Sequence, residues 1–464
     1  DRVADDLRSR LASAEAAPAT PAAEVAHLRD RLGELYVVYA FVSSINGFFP
    51  EASRYCAYAF EHLAPDQRYL RAMVRQVQVT VGQQDNHYAT YREFLRLTET
   101  QSFARSHKMQ ASALSNLASL QRGHGLLNEA LQTVERALAL YPDRPAIPMY
   151  VMAYIARGMA YYERDELREA SADLSRGLQI SEYLKMPGMA AEAWAHRGFI
   201  EQIHGETDAA GLCFDEASAL DSAFFRWSCR TVPQMRLLDR RHFIPAEALA
   251  EVRRQAQELL TLPSGPLMSL RDCALLHCAT VSYLYEGIQR RALELASFLL
   301  ARCFEGYPLQ MVATLVLNAV ILEQEGFRSS ARKALRRALR IAQEQGYVRV
   351  FVDWDLMIEA MLRQHLASAE AAELSPDFRH RLQRALAAAH PDASANKGGP
   401  GLLLTERELE ILSLLHGGLT TRGVADLLDI SYETVRTHLA NCYAKLDVHG
   451  RVQAIKYARD HHLI

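Results

Sequence analysis

The sequence predicts an all-α protein in which a long array of stacked helical hairpins precedes a small four-helix domain. Three observations predict this. Small and bulky apolar residues recur with a period near 40 residues, the Pro- and Gly-rich stretch 390–401 breaks that pattern, and residues 402–464 hold four helical segments between turn signals. We expect the hairpin array at 24–389 and a flexible linker at 390–401. The Ala- and Pro-rich residues 1–23 are expected to form a short helix and a linker.

The composition is that of a globular protein and excludes several classes. The chain has 464 residues, 49% of them hydrophobic and 23% charged, with a net charge of −3. No apolar run reaches the ~18 residues that a membrane span needs, and no secretory signal is visible, so we expect a cytoplasmic protein without membrane contact. Its seven cysteines are expected to be reduced and buried. The chain is no polycation, so nucleic-acid binding requires a local surface.

Three segments define the repeat. They begin at Leu114, Tyr154 and Trp194, and each places a small residue four positions after its first residue: Ala118, Gly158 and Gly198. A second helix follows in each segment, again with small and large apolar residues at helical spacing, so that two helices can pack closely and hairpins can stack. Weaker copies occur at 36–59, 74–97, 276–299 and 315–338, which gives about seven hairpins. The order of residues resembles tetratricopeptide (TPR) repeats and implies an α-solenoid.

A set of side chains on the inner helices of these repeats could line a concave groove for a small-molecule inducer or a regulatory protein. The set comprises Met152, Ile155, Met159, Tyr162 and Phe199. Helix packing explains the same side chains, since apolar residues at helical spacing form cores. The sequence leaves both interpretations open.

Helix signals punctuate the last 63 residues. Thr405 with Glu408 predicts a capping box at the start of the first helix, and HGGL (416–419) ends it. Thr420 is expected to cap a second helix and Ser431 a third, which runs to about Leu446 before a fourth at 450–460. Two short helices joined by a tight turn form a helix-turn-helix arrangement.

The third of these helices has two different faces. At ~100° per residue, its apolar residues Val435, Leu439, Cys442 and Leu446 fall on one stripe. The opposite stripe is small and polar, which suits entry into a major groove, and its residues suit base edges. We expect base contacts from Arg436, Thr437 and Ala440, and contacts to the DNA backbone from Ser431, Thr434, His438 and Lys445.

The segments LTERELEILSLL and TVRTHLANCYAKLDV resemble the C-terminal DNA-binding domain of LuxR-type regulators. The resemblance implies that the third helix reads the major groove through Arg436, Thr437 and Ala440, and that the last helix supports dimerisation. One departure is Gly423, which stands where the family usually has a Glu three residues after the cap. The reciprocal cap is lost, and Gly costs ~1 kcal/mol relative to Ala in a helix.

The charge of this domain is nearly balanced. Residues 402–464 contain seven Lys or Arg and eight Asp or Glu. Attraction to phosphates is therefore expected to be modest. We expect a homo-oligomer that places two copies on double-stranded promoter DNA.

The two parts together resemble the C-terminal half of MalT-type regulators, the large ATP-binding LuxR class. The resemblance implies that the array binds an inducer or a regulatory protein, that the protein self-associates, and that it contacts RNA polymerase and activates transcription. No G-x-x-x-x-G-K-[ST] loop occurs in the sequence, so we expect no cofactor in this chain. The chain is then either a fragment or a relative without the ATPase.

The resulting hypothesis is a sequence-specific DNA-binding transcriptional regulator, and not an enzyme. No nucleophile or paired-carboxylate motif appears, and Cys273, His277 and Cys278 fit buried core residues better than a zinc site, so no metal is expected. One alternative is a TPR adaptor that acts mainly through protein–protein binding. Another is a sensor in which the array covers the reader helix until a ligand arrives.

Overall fold

A computed structural model of the chain describes residues 2–45, 48–80, 91–92, 95–96, 107–141, 150–183, 187–220, 246–261, 270–286, 288–302, 307–353, 358–389, 404, 406–416, 419–428, 430–446, 448 and 450–460. These residues form helices and no strand, which confirms the predicted all-α fold. The chain divides into two compact units, Asp1–Ala389 and His390–Ile464. The predicted linker at 390–401 lies outside the described residues.

The first unit is the helical array. Its α-helices are α1 (Arg2–Ala16), α2 (Ala22–Ile45), α3 (Phe49–His62), α4 (Arg68–Thr80), α5 (His107–His124), α6 (Leu127–Leu138), α7 (Val151–Glu163), α8 (Leu167–Tyr183), α9 (Pro187–Ile203), α10 (Thr207–Ala219), α11 (Ala246–Leu260), α12 (Leu270–Tyr285), α13 (Gln289–Arg302), α14 (Pro308–Gln324), α15 (Arg328–Gln345), α16 (Arg349–Val352), α17 (Glu359–Ala367) and α18 (Pro376–Ala389). Consecutive helices pair as hairpins: α2 with α3, α5 with α6, α7 with α8, α9 with α10, α12 with α13 and α14 with α15. Of the predicted copy at 74–97, residues 81–90, 93–94 and 97 lie outside the described residues.

The first helix packs against the array. Leu11 of α1 is buried in one hydrophobic cluster with Leu28 and Leu32 of α2. The guanidinium of Arg8 donates a hydrogen bond of 2.7 Å to the hydroxyl of Tyr36. Helix α1 therefore joins the core of the first hairpin, from which the predicted boundary at residue 23 had separated it.

The turns inside the hairpins repeat one backbone conformation. Gly125, Asp165 and Gly205, 40 residues apart, have φ values of 84°, 63° and 80°. In each case the next N–H donates to the carbonyl five residues earlier, as Leu126 does to Gln121. This pattern satisfies the last carbonyls of the first helix and reverses the chain, and it favours glycine because a Cβ is crowded at positive φ. The period in the sequence is thus a period of turns as well as of helices.

Small residues allow the two helices of a hairpin to touch. A Cβ atom added to Gly158 of α7 would lie 2.8 Å from Leu174 of α8, and one added to Gly198 of α9 would lie 2.5 Å from Phe214 of α10. Both large partners come from the second helix of the same hairpin. The structure confirms the pairing of small and bulky positions predicted from the repeat.

Replacing Gly198 by alanine is expected to destabilise the array by about 1–3 kcal/mol, because the methyl group would overlap the ring of Phe214. Gly211, on α10 of the same hairpin, is the matched control. It has no atom within 4 Å of an added Cβ, so Gly211→Ala should be neutral or stabilising by up to ~1 kcal/mol. Urea denaturation followed by circular dichroism measures both effects. Equal shifts in the two variants would contradict close packing at Gly198.

The last hairpin folds back onto the middle of the array. Leu127 and Leu131 of α6 and Ala160 of α7 belong to the same hydrophobic cluster as the buried residues of α12 to α18. The main-chain N–H of Asn128 donates to the side chain of Gln345 at 2.9 Å, and its side-chain amide donates to the carbonyl of Glu344 at 2.8 Å. We call the contacts of residues 125–166 with residues 344–353 the closing interface.

An arginine lies at the centre of the closing interface. Arg349 is 1% exposed and forms ion pairs with Asp353 and, at 3.1 Å, with Asp165. Burial opposes its charge, and the carboxylates of Asp353 and Asp165 outweigh this and raise its pKa. The hydroxyl of Tyr162 donates to Asp353 at 2.8 Å. Asp165 is also the residue that replaces glycine in the turn between α7 and α8, so one side chain serves both the turn and the ion pair.

The array also buries a histidine. His277 of α12 is 0% exposed, and its Nε2 lies 2.8 Å from the hydroxyl oxygen of Thr314 on α14. Burial lowers its pKa from 6.5 to about 4. Cys273 and Cys278, on the same helix, are buried and form no disulfide bond, and the same holds for the other cysteines that the structure describes. Cys229 and Cys303 lie outside the described residues.

The stability of the array should therefore fall in mild acid. The unfolded chain binds a proton at His277 below a pH near 6.5, and the folded chain does so only below about 4. The contribution of neutral His277 to the free energy of unfolding is present above pH 6.5. It is lost as the pH falls from 6.5 to 4, by about 2 kcal/mol at pH 5. The His277→Gln variant should lose less unfolding free energy between pH 7.5 and 5 than the wild type. Identical losses of unfolding free energy in the two proteins would show that His277 does not cause the pH dependence of stability.

The described residues of the second unit form four helices, α19 (Glu406–His416), α20 (Thr421–Leu427), α21 (Tyr432–Lys445) and α22 (Arg451–Asp460). They enclose one hydrophobic cluster, which includes Ile411, Val424, Val435 and Ala454, one from each helix. The helix order and number match the prediction. Thr405, the predicted cap of α19, lies outside the described residues, and Glu408 is buried.

Candidate nucleic-acid interface

Three helices hold α21 in place. It packs against α19, α20 and α22. Its inward stripe is buried: Val435 and Cys442 are 0% exposed, Leu446 is 2% and Leu439 is 6%. The predicted apolar face is therefore confirmed, and the opposite face of the helix is left for other contacts.

A serine fixes the start of α21. The hydroxyl oxygen of Ser431 accepts a hydrogen bond of 3.0 Å from the N–H of Thr434, and the two hydroxyl oxygens lie 2.7 Å apart. This is the cap that the sequence predicts. Both residues are exposed, as the predicted contacts of these two residues with the DNA backbone require.

The outward face of α21 carries the predicted base-reading residues. Arg436 and Thr437 are exposed, and His438 is half-buried. Ala440 and Lys445 belong to the helix, and their side chains lie outside the described part of the structure. Asn441 is exposed as well. An exposed arginine on a helix that is anchored on its other side lies where it can donate two hydrogen bonds to a guanine edge.

Two cations of this unit are occupied by the fold. Arg451 donates to the carbonyls of Leu415 and Leu419, both at 3.0 Å, and so satisfies the end of α19. Arg407 donates to the carbonyl of Leu428 at 3.3 Å and pairs with Glu410. These contacts leave fewer cations for a ligand than the sequence count suggests.

The second helix begins with the predicted threonine cap. The hydroxyl oxygen of Thr420 accepts from the N–H of Gly423 at 3.1 Å. Gly423 supplies no side chain to return the bond. Arg422, the second residue of α20, is exposed, and the sequence reasoning did not single it out. Its signal was available, because the first helix of a helix-turn-helix crosses the DNA backbone.

The structure places the predicted groove residues of the array mostly in its core. Ile155, Met159, Tyr162 and Phe199 are 1–4% exposed, and Met152 is half-buried. Tyr162 faces the closing interface, and the ring of Phe199 lies 5.4 Å from that of Phe214. These four side chains serve helix packing, the alternative already considered, because burial leaves a ligand no access to them.

A cavity of about 460 Å³ lies elsewhere in the array. It lies between α14, α15 and α17, and its lining includes Glu323, Arg328, Arg332, Gln364, His365 and Glu370. Burial lowers the pKa of His365. The carboxylate of Glu370 raises this pKa in part, and the charge of Arg336 lowers it further. The sequence analysis did not find this cavity, since its lining comes from three helices and extends from Glu323 to Glu370.

Neither a metal-binding cluster nor a membrane span occurs among the described residues. They contain no group of three or more His, Cys, Asp or Glu side chains placed to hold a metal ion. Among the helices of this part of the chain, none combines the length and the apolar character needed to cross a membrane.

Comparisons with known families match both units. Residues 33–368 match the family described as "MalT-like TPR region". Residues 402–458 match the family described as "Bacterial regulatory proteins, luxR family". The two matches together confirm the resemblances stated from the sequence.

Two curated proteins are similar to part of the chain. The HTH-type transcriptional regulator MalT of Klebsiella pneumoniae subsp. pneumoniae is 30% identical over 179 residues, covering 32% of this chain and 19% of that protein. The protein of the same description from Klebsiella pneumoniae (strain 342) matches with the same identity and coverage. The match thus spans 19% of the length of these relatives.

Proposed function

The chain belongs to the family of the MalT-like TPR region, and from this premise we propose that it is a DNA-binding transcriptional regulator. The luxR-family match at residues 402–458 supports DNA binding. The relatives named HTH-type transcriptional regulator support regulation of transcription. The luxR-family match and the regulators that the comparisons name point to a transcription regulator, which is usually not an enzyme.

The observation that carries this proposal is the two-sided character of α21. One side is buried against three helices, and Arg436 and Thr437 are exposed on the other. An α-helix with its side chains is ~10–12 Å across, and the major groove of B-DNA is ~12 Å wide. We assign base reading to Arg436, Thr437 and Ala440, with Arg436 donating two bonds to a guanine.

Contacts to the DNA backbone complete the proposed interface. Ser431, Thr434, His438 and Lys445 are assigned to phosphates, and Arg422 on α20 is added to them. The cap at Ser431 supports this, because it holds both hydroxyl groups at the start of the helix that enters the groove. The near balance of charge in residues 402–464 supports binding as a homo-oligomer, since one copy gains little from phosphate attraction.

We assign a sensing role to the array. The cavity of about 460 Å³ supports it, and the mixture of acidic, basic and amide groups in its lining favours a polar ligand over an apolar one. Activation through RNA polymerase is proposed from the family resemblance. The sequence contains no G-x-x-x-x-G-K-[ST] loop that would support nucleotide binding. A thermal-shift screen of polar metabolites against the chain tests the sensing role.

Selection from random duplex DNA tests the proposed function. The 464-residue chain is incubated with a pool of 25-base-pair random duplexes, bound DNA is recovered, and sequencing follows several rounds. We expect enrichment of one short motif, present as two half-sites about one helical turn apart if two copies bind together. A folded protein that retains DNA without enriching any motif would contradict sequence reading and favour the adaptor hypothesis.

A further inference from the structure

One face of α15 is strongly basic. Lys333, Arg337 and Arg340 are spaced by four and three residues, so they fall on one side of the helix, and all three are exposed. The opposite side is buried through Ala331, Leu335, Ala338, Leu339 and Ala342. We call the first three residues the basic face.

The basic face keeps an excess of positive charge. The cations beside it are occupied, since Arg336 pairs with Glu373, and Arg328 lies 3.6 Å from Glu323. Within the described part of the chain, no ion pair involves a residue of the basic face. Glu344, the one acidic residue in the sequence of α15, lies one turn beyond Arg340 on the same side of the helix, so it offsets part of the positive charge at that end of the basic face.

The surrounding sequence has a local excess of positive charge. Residues 328–389 contain eleven Lys or Arg and seven Asp or Glu, although the whole chain has a net charge of −3. Residues 402–464 of the second unit have the opposite balance, with seven basic and eight acidic residues. Two of its seven cations, Arg407 and Arg451, donate to main-chain carbonyls. Residues 328–389 therefore carry an excess of positive charge that residues 402–464 lack.

We propose that the basic face binds the phosphate backbone of duplex DNA. This inference rests on the proposed function. At 1.5 Å per residue, Lys333 to Arg340 spans about 10 Å of helix, and one DNA strand places a phosphate every 3.4 Å along its axis, so three cations match about three phosphates. Duplex DNA is favoured over an acidic protein because it is the polyanion that this chain already binds, through a unit with little charge of its own.

The test measures how DNA affinity depends on salt. The full chain and the variant Lys333→Gln/Arg337→Gln/Arg340→Gln are titrated against the selected duplex and an unselected duplex by fluorescence anisotropy at several KCl concentrations. Each lost phosphate contact lowers the slope of log affinity against log salt by ~0.9, so the slope should become shallower by about two to three. Affinity for both duplexes should fall by one common factor, about tenfold or more at 100 mM salt.

A scattered triple variant is the matched control. Arg136→Gln/Arg168→Gln/Arg290→Gln removes three exposed arginines from α6, α8 and α13, one from each helix. Its slope should change by less than about one, and both variants should keep the melting temperature of the wild type. Equal slopes in the wild type and the basic-face variant would overturn this inference and leave sequence reading intact. A wild type that binds no duplex would overturn the inference and the proposed function together.

Discussion

Replacing Arg436 by alanine is expected to weaken binding to the selected duplex by about 1–3 kcal/mol, up to about a hundredfold, with little effect on an unselected duplex. The reason is that a bidentate arginine–guanine contact carries discrimination against the wrong base, and nonspecific binding depends on phosphates. The side chain is exposed on α21, so the variant should keep its fold. Competition binding with both duplexes at fixed salt measures the effect.

Arg422→Ala provides the matched control for Arg436. Both arginines are exposed and lie on adjacent helices of one small unit. If Arg422 contacts a phosphate, its removal should weaken binding to both duplexes alike and make the salt slope shallower by ~0.9. Equal loss on both duplexes in the Arg436 variant would show that this arginine is a backbone contact and would reassign base reading to other residues.

Replacing Arg349 by methionine is expected to destabilise the array by about 3–5 kcal/mol. The variant leaves the carboxylates of Asp353 and Asp165 without their cation, and the side chains of these residues are only 2% and 9% exposed. An uncompensated buried charge is far more costly than the loss of a surface pair. Urea denaturation at neutral pH measures the free energy of unfolding.

Arg336→Met is the control for Arg349→Met, because it also removes an arginine from an ion pair, but from an exposed pair instead of a buried one. Arg336 also pairs with a carboxylate, Glu373, and the two side chains are 45% and 41% exposed. An exposed pair contributes about 0–1 kcal/mol, so this variant should unfold close to the wild type. Destabilisation of similar size in both variants would show that the closing interface contributes no more than a surface contact.

Local patterns in the sequence predicted the repeat and the reader helix correctly. The 40-residue period identified Gly158 and Gly198 as close-contact positions because helix pairing inside a hairpin depends on residues close together in the chain. The same holds for the buried stripe of α21 and for its cap at Ser431, which 100° periodicity and residue type determine. The distinction between base and backbone contacts remains a prediction.

The ligand groove was harder to predict for a physical reason. Periodicity shows that Met159, Tyr162 and Phe199 are apolar and inward-facing, but it does not distinguish a concave surface from an interior. Stacked hairpins bury both faces of an inner helix once their neighbours are in place. The cavity described above is lined by α14, α15 and α17, and no local pattern brings those three helices together.

The sequence by itself determined the helices, the turns that join them and the face that each helix turns inward, since these depend on residues within one or two turns of each other. Only the tertiary structure showed that the end of the array returns to its middle. Arg349 and Asp165 are 184 residues apart, and each alone is an ordinary charged residue on an amphipathic helix or in a turn. Their pairing depends on how the curvature of successive hairpins accumulates, and that sum is a property of the packed array rather than of any segment.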